Sequence, residues 1–532
     1  MGGTVALAET EQASLRSRRS RAWRAETRHE RAGWRAKPRR RTELGLLFVG
    51  FLVVVFAAVL ESLGVTGALP ARATELLAGL AGLGVVVQVV NRRLVPDADP
   101  VIMPVALVLN GLGYVMIERL HPSEAGKQVA WTLLGIFLYF AVLAVVRRSR
   151  DLERYRYVLA ALAFVMLVSP LMPVIGKDIG GARLWVGIGS TLEFQPVEVA
   201  KILLVVFFAS FFVEKRELLT IPTRRVGNRL VPDLRVLAPV VLAAGAALLI
   251  ILAERDVGFS LIIFLVFMTL LWATTGRWGY VIVGLVLFAG ATLVAAHVLG
   301  QVGGRFAVWL DPWKYYNTSG YYAGYQPVQG ELAFGRGGLF GSGLGLGLVH
   351  YDPAIGGTTP LPVATSDFIF AAFGEELGLV GTAAIMVGFL LIIGAGMRAA
   401  LRARSDFSRL LCAGLALTFG FQTFFIMAGV TRLLPLTGVT LPLVSYGGSS
   451  LVANYALLAI VMRISEEGNS RPFGSGLEAE PGSPRVNGRA IGRPRNIGLD
   501  HLSDHRPTPQ PDPASRKAEK DSTGSIAEPP TI

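Results

Sequence analysis

The stretch Leu361–Gly378, LPVATSDFIFAAFGEELG, sets one carboxylate, Asp367, where a long polar connection meets an apolar run. A charge at such a junction is costly in lipid unless it is paired or used. Two uses are open: capping the first helical amides, or acting as a base at the rim of a cavity. Thr365 and Ser366 already supply capping oxygens, and the following run is apolar until Glu375 and Glu376, which leaves room for the second. Glu375 falls about 80° around the helix and about 12 Å along it from Asp367, so the two can share a face without touching. Glu375 and Glu376 are expected to be structural, buried and paired or partly protonated.

Other polar groups interrupt apolar runs in the same manner. Gln195-Pro196 opens an apolar run in which Glu198 and Lys201 lie three apart, a spacing that allows an ion pair. That pair either fixes helix packing or turns Lys201 toward a diphosphate with Glu198 in support. Glu254-Arg255-Asp256 separates two apolar runs and is either a plain turn or a place where Asp256 or Glu254 meets a cation or a sugar. Between 299 and 366 lie Arg305, Trp309, Trp313, Gln326 and a glycine run from Gly335 to Gly343. Aromatic and amide groups suit sugar rings and Arg suits phosphate oxygens, while the glycines suit tight turns. Arg432 either binds a phosphate or snorkels to the interface. After it, Pro435, Gly438, Pro442, Gly447 and Gly448 break the helical pattern, and broken helices in membranes usually line a cavity. His350 and Asp352 make a weak metal pair, and the metal content of the chain is left unknown.

The elements that must position these groups are membrane spans. The chain has 532 residues, 52% hydrophobic and 17% charged, and a mean hydropathy of +0.51, which excludes an ordinary soluble domain. Apolar runs long enough to span fall near 44–63, 71–91, 100–118, 127–147, 155–174, 196–213, 234–253, 258–276, 278–298, 367–394, 408–431 and 442–463. The expected fold is therefore an all-α polytopic bundle of about twelve helices. The net charge of +13 is concentrated in the first forty or so residues and in short loops, as in a membrane protein rather than a nucleic-acid binder. Arg92-Arg93, Arg147–Arg150, 214–235, Arg277 and Arg398–Arg409 share one side with the basic arm. The positive-inside rule makes that side, and both termini, cytoplasmic. The loops 175–195 and 299–366 then face outward, and a loop as long as the second is usually functional. Residues 1–43 and 466–532 read as disordered tails. No cleavable signal peptide is evident, so the first run is expected to stay as an anchor. The single Cys412 excludes an intrachain disulfide and reads as packing.

Taken in order, several motifs resemble the SEDS (shape, elongation, division and sporulation) family of RodA, FtsW and SpoVE proteins. They are Gly181-Ala182 with Trp185, Phe194-Gln195-Pro196 with Glu198 and Lys201, Asp256-Val257-Gly258, Gly324-Tyr325-Gln326 with the glycine run, Asp367-Phe368-Ile369-Phe370 with Gly374-Glu375-Glu376, and Leu441-Pro442 with Ser445–Ser450. The likeness covers roughly Leu109–Ile464. It departs at Leu184, where the family usually has Arg and here Arg183 lies one position earlier, at Val197 in place of Ser, and at Ile426 in place of Asn. The resemblance implies a core of ten spans over 98–465, with 44–97 as an N-terminal addition like that of actinobacterial RodA-type members.

It further implies a glycosyltransferase of peptidoglycan synthesis that polymerises lipid II outside the membrane, for cell shape and elongation or for division, with inversion at the anomeric carbon. Asp367 would be the general base. Arg183, Trp185, Gln195, Glu198, Lys201, Asp256, Arg305, Gln326, Arg432 and Ser445 would bind substrate, and Glu375, Glu376, Pro435, Pro442, Gly447 and Gly448 would support the site. A divalent cation, Mg or Mn, would help offset diphosphate charge. A class B penicillin-binding protein would supply the transpeptidase. A lipid II flippase and a non-catalytic scaffold of the elongation or division machinery are the alternatives.

Overall fold

The computed structural model describes residues 41–470 except 71–72, 174, 180–181, 189–191, 221–223, 227–228, 232–237, 254–255, 319–322, 349–360 and 362. The basic arm, nearly all of the C-terminal tail, Glu254 and the pair His350 and Asp352 thus lie outside the described residues. Each of the twelve apolar runs coincides with a helix. These are α1 (Arg41–Thr66), α2 (Ala73–Leu94), α3 (Ile102–Leu120), α4 (Pro122–Val145), then, past the short α5 (Asp151–Arg154), α6 (Arg156–Val168) and α7 (Val197–Glu214). After the short α8 (Arg216–Thr220) come α9 (Ala238–Ala253), α10 (Val257–Thr275) and α11 (Trp278–Val298). The last three are α14 (Ile369–Arg402), α15 (Asp406–Val430) and α16 (Gly448–Asn469). Among the described residues, eight of the helices are long and apolar enough to cross a membrane. The protein is a multi-pass membrane protein.

Burial separates the core from the lipid face. α7 is apolar all round and buried along nearly its whole length, as a central helix must be. Its Phe208 and Phe212 pack on Phe267 of α10. By contrast, only 6% of the α11 span is buried. α1 reaches α3 through small residues: a side chain at Gly50 or Gly111 would strike Val108 or Val54, a device that lets membrane helices approach closely.

The loops 175–195 and 299–366 carry secondary structure of their own. Segment 175–195 carries a three-stranded antiparallel sheet, β1 (Gly176–Ile179), β2 (Ala182–Ile188) and β3 (Leu192–Phe194), in that order. A short hairpin, β4 (Arg224–Val226) and β5 (Arg229–Val231), lies in the segment 214–235. The loop 299–366 holds two helices, α12 (Gly300–Leu310) and α13 (Tyr325–Gly337). Boundaries also move inward or outward: α1 begins before 44, α16 runs past 466, and the run expected from 442 becomes helical only at Gly448.

The glycine run acts as a splice. α14 is broken at Gly378, whose φ of 67° is left-handed, the region glycine enters without steric cost. The carbonyls of Glu375 and Glu376, which a continuous helix would give to Leu379 and Val380, instead accept from the amides of Ser342 and Gly343. Leu379 and Val380 donate to the carbonyls of Gly338 and Leu339. The broken turn is thereby fully satisfied, as buried backbone must be. Glu375 also accepts from Arg336 at 2.8 Å and from the Leu348 amide. Glu376 pairs with Arg119 of α3 at 2.7 Å and accepts from the Gly345 amide. Both side chains are buried and paired.

Candidate active site

α12 is amphipathic, and Gln301, Arg305, Val308 and Trp309 repeat at helical spacing on one face. That face meets the start of α13, the turn before α14 and the non-helical segment 431–447. Between them lies a cavity of about 250 Å³ whose polar lining includes Gln301, Arg305, Gln326, Asp367 and Arg432. The volume is below the roughly 300–1,000 Å³ usual for small-molecule pockets, so it suits part of a substrate rather than the whole of one.

Asp367 is not a helix cap. α14 starts two residues later, its N-cap position is Phe368, and no side chain caps it. Asp367 sits instead in a turn closed by the Ser366 and Phe368 amides on the Val363 carbonyl. The segment 441–446 holds that turn from the other side. Ser445 Oγ donates to the Ser366 carbonyl at 2.6 Å, the Tyr446 amide donates to the Thr365 carbonyl at 2.8 Å, and Ser445 Oγ accepts from the Leu441 amide. Burial pushes the Asp367 carboxyl up to about 6, against the opposing pull of the Arg305 guanidinium and a hydrogen bond from Ser366.

Arg305 donates to the Thr437 carbonyl at 3.0 Å. Gly438, which follows, has φ of 70°, and a side chain there would press on the guanidinium. Asp256 caps α10 through the Phe259 amide at 3.0 Å and is buried. Burial raises its carboxyl to about 6 as well, with the Phe259 amide and then Arg305 opposing. One guanidinium therefore serves two carboxylates, Asp367 in the cavity and Asp256 behind it.

Among the described residues, three non-glycine residues have left-handed backbone: Val363, Arg432 and Leu443, with φ of 56°, 58° and 67°. All three lie in the turn before Asp367 or in the segment 431–447. Such strain, of order 1–3 kcal/mol each, persists only where surrounding structure enforces it and tends to cluster at functional sites. Here Trp309 Nε1 fixes one of them by donating to the Arg432 carbonyl at 3.1 Å. The Arg432 side chain pairs with Glu331 of α13 at 2.7 Å.

The remaining site candidates lie elsewhere. Lys201 is fully buried and donates to Glu198 and to Gln422 of α15, each at 2.5 Å, so this knot joins helices and does not line the cavity. The Gln195 amide donates to Ser449 Oγ at the start of α16. Trp185 is partly exposed on β2 opposite Lys177, and Arg183 lies on the same strand. Pro435, Pro442 and Gly447 shape the non-helical segment. At Gly448 a side chain would collide with Trp131. Gln301, Trp309 as an indole donor to the Arg432 carbonyl, and Glu331 were not singled out from sequence, although the spacing from Gln301 through Arg305 to Val308 and Trp309 is a readable signal.

No cluster of three or more His, Cys, Asp or Glu suited to a metal exists among the described residues. The carboxylate in the cavity faces a guanidinium.

Broken segments of the helical membrane bundle thus enclose one carboxylate and two arginines, groups suited to an anionic ligand. The chain matches the FtsW/RodA/SpoVE model, described as a cell cycle protein, over residues 101–470. It belongs to that family. It is 40% identical over 455 residues to the peptidoglycan glycosyltransferase RodA of Mycobacterium tuberculosis, covering 82% of this chain and 92% of that one. It is 30% identical over 387 residues to a probable peptidoglycan glycosyltransferase FtsW of Geobacter, covering 70% and 98%. The fold is shared with a chain from a peptidoglycan synthase complex, with TM-score 0.55, 24% identity and coverage of 70% of this chain and 99% of that one.

Proposed function

We propose that this protein is a peptidoglycan glycosyltransferase that polymerises lipid II at the outer face of the cell membrane. The observation that carries the reading is the single cavity shared by Asp367, Arg305 and Arg432 in a chain 40% identical to a named glycosyltransferase. Asp367 takes the proton from the acceptor 4-hydroxyl as that oxygen attacks the donor's anomeric carbon. A carboxyl held near 6 is mostly ionised at neutral pH and is a stronger base than an ordinary aspartate. The bond to the lipid diphosphate breaks on the opposite side of the carbon, which inverts it from α to β. The arginines stabilise the negative charge that grows on the departing diphosphate. Gln326, Gln301 and Trp309 offer amide and aromatic contacts to sugar. No covalent intermediate is required. A Mg or Mn ion would help offset the diphosphate charge.

The basic loops support an arrangement with both termini cytoplasmic and 175–195 and 299–366 outside. The likeness to the mycobacterial RodA extends beyond 101–470 and exceeds that to FtsW, which supports an elongation role. Crosslinking would come from a class B penicillin-binding protein, in keeping with the synthase complex that shares the fold. The test is glycan polymerisation from lipid II by the protein with its partner, comparing wild type with Asp367→Asn. Strands from wild type alone support the reading. No strands from either, with the complex folded and lipid II intact, would move the function to transport or scaffolding.

A further inference from the structure

We infer that Glu331 is the resting counter-ion of Arg432 and is displaced when the diphosphate of a lipid-linked substrate enters the cavity. The inference rests on the proposed polymerase reading for the identity of the anion. The two arginines of the cavity are held differently. Arg305 donates to the Thr437 carbonyl and lies near Asp367 and Asp256, so its resting partners are the backbone and the carboxylates beside it. Arg432 has a backbone locked in the left-handed region and anchored by Trp309, which fixes where its side chain starts. Its side chain meets Glu331 at 2.7 Å through one guanidinium nitrogen, and both side chains are one-third exposed.

A part-exposed ion pair between single carboxylate and guanidinium groups is weak and exchangeable. A diphosphate presents more charge and can engage the guanidinium fork through two oxygens, so it outcompetes one carboxylate oxygen. Glu331 lies on α13, the helix that also sends Gln326 into the cavity. Exchange of partners at Arg432 would therefore couple arrival of the anion to the helix that carries a sugar contact. In the empty site Glu331 balances the charge of Arg432 and lowers its affinity for stray phosphate.

Binding of dodecyl diphosphate to the full-length protein in detergent, without turnover, separates this idea from the polymerase reading. Glu331→Gln should bind the probe several-fold more tightly than wild type, and Arg432→Gln several-fold more weakly. The double variant should match Arg432→Gln, since with the arginine gone there is nothing for Glu331 to occupy. In polymerisation assays Glu331→Gln should lower KM for lipid II with no rise in kcat, and Glu331→Asp should return KM toward wild type. Weaker or unchanged binding by a folded Glu331→Gln, or additive effects in the double variant, would overturn the counter-ion role. If inorganic pyrophosphate gained as much as dodecyl diphosphate, the assignment to a lipid-linked ligand would fail.

Discussion

Two clusters of opposite charge lie within this bundle, and they are built in opposite ways. Around Lys201 the site is sealed: the ammonium has a carboxylate and an amide oxygen, Gln422 passes its own amide to the Thr440 carbonyl, and the Lys201 and Glu198 side chains are wholly inaccessible, with one Glu198 oxygen left without a partner among the described residues. Around Asp367 the polar groups converge on open volume, Gln301 leaves a buried oxygen without a partner among the described residues, and the backbone is strained at three positions nearby. Motif membership and charge alone treat the clusters alike. What separates them is access: one is sealed inside the bundle, and the other opens onto a cavity.

Breaking each cluster should therefore fail in a different currency. Asp367→Asn should cut polymerisation by about 10²- to 10⁴-fold, the span usual for a lost general base, with no loss of melting temperature. Lys201→Met leaves the Glu198 carboxylate buried without its cation and should destabilise the protein by about 3–5 kcal/mol. Thermal unfolding in detergent would register that loss, and the activity of the fraction still folded should stay near wild type. A Lys201→Met protein that melts normally but cannot polymerise would reverse the comparison and return Lys201 to the substrate.

The pH dependence sharpens the same contrast. As a base, Asp367 works ionised, so the rate should fall about tenfold per unit as pH drops below about 6. Its effect on stability has the opposite slope. A carboxyl raised from 3.8 to about 6 binds more protons folded than unfolded between those values, so its contribution to stability diminishes as pH rises through that window. Asp256, also raised to about 6 by burial and opposed by the same Arg305, should add a stability change of the same sign in that window. An activity profile flat from pH 5 to 8, with binding intact, would remove Asp367 from proton transfer.

Much of this was legible before any coordinates. Twelve apolar runs announced twelve helices because lipid demands length and apolarity together, and Asp367 stood out because so little around it was polar. The small sheet of 176–194 and helices α12 and α13 were hidden, since short segments rich in Gly, Tyr and Trp lack the long periodic signal of a span. The ion pair of Glu198 with Lys201 was readable from spacing, but its third member, Gln422, lies on α15 and no local pattern points to it. Glu331 escaped for the same reason: its partner is 101 residues away. Within the glycine run, the need for turns was evident, whereas its exchange of backbone hydrogen bonds with broken α14 required the tertiary fold.

The finest cut through the comparison is Ser445→Ala. This serine belongs to neither charged cluster, yet its hydroxyl ties the non-helical segment to the Ser366 carbonyl, one residue before the proposed base. Losing one such bond removes about 1 kcal/mol of support from the turn, which corresponds to roughly a fivefold change if the whole effect falls on placing Asp367. The expected signature is a lower kcat with KM for lipid II held, because the hydroxyl is engaged by protein at both its donor and its acceptor side. A rise in KM with kcat unchanged would mean that Ser445 gives up its protein partners to hold substrate, as family resemblance alone suggests. Threonine, which keeps the hydroxyl, should restore kcat if it is the hydrogen bond and not the size of the side chain that places the carboxylate.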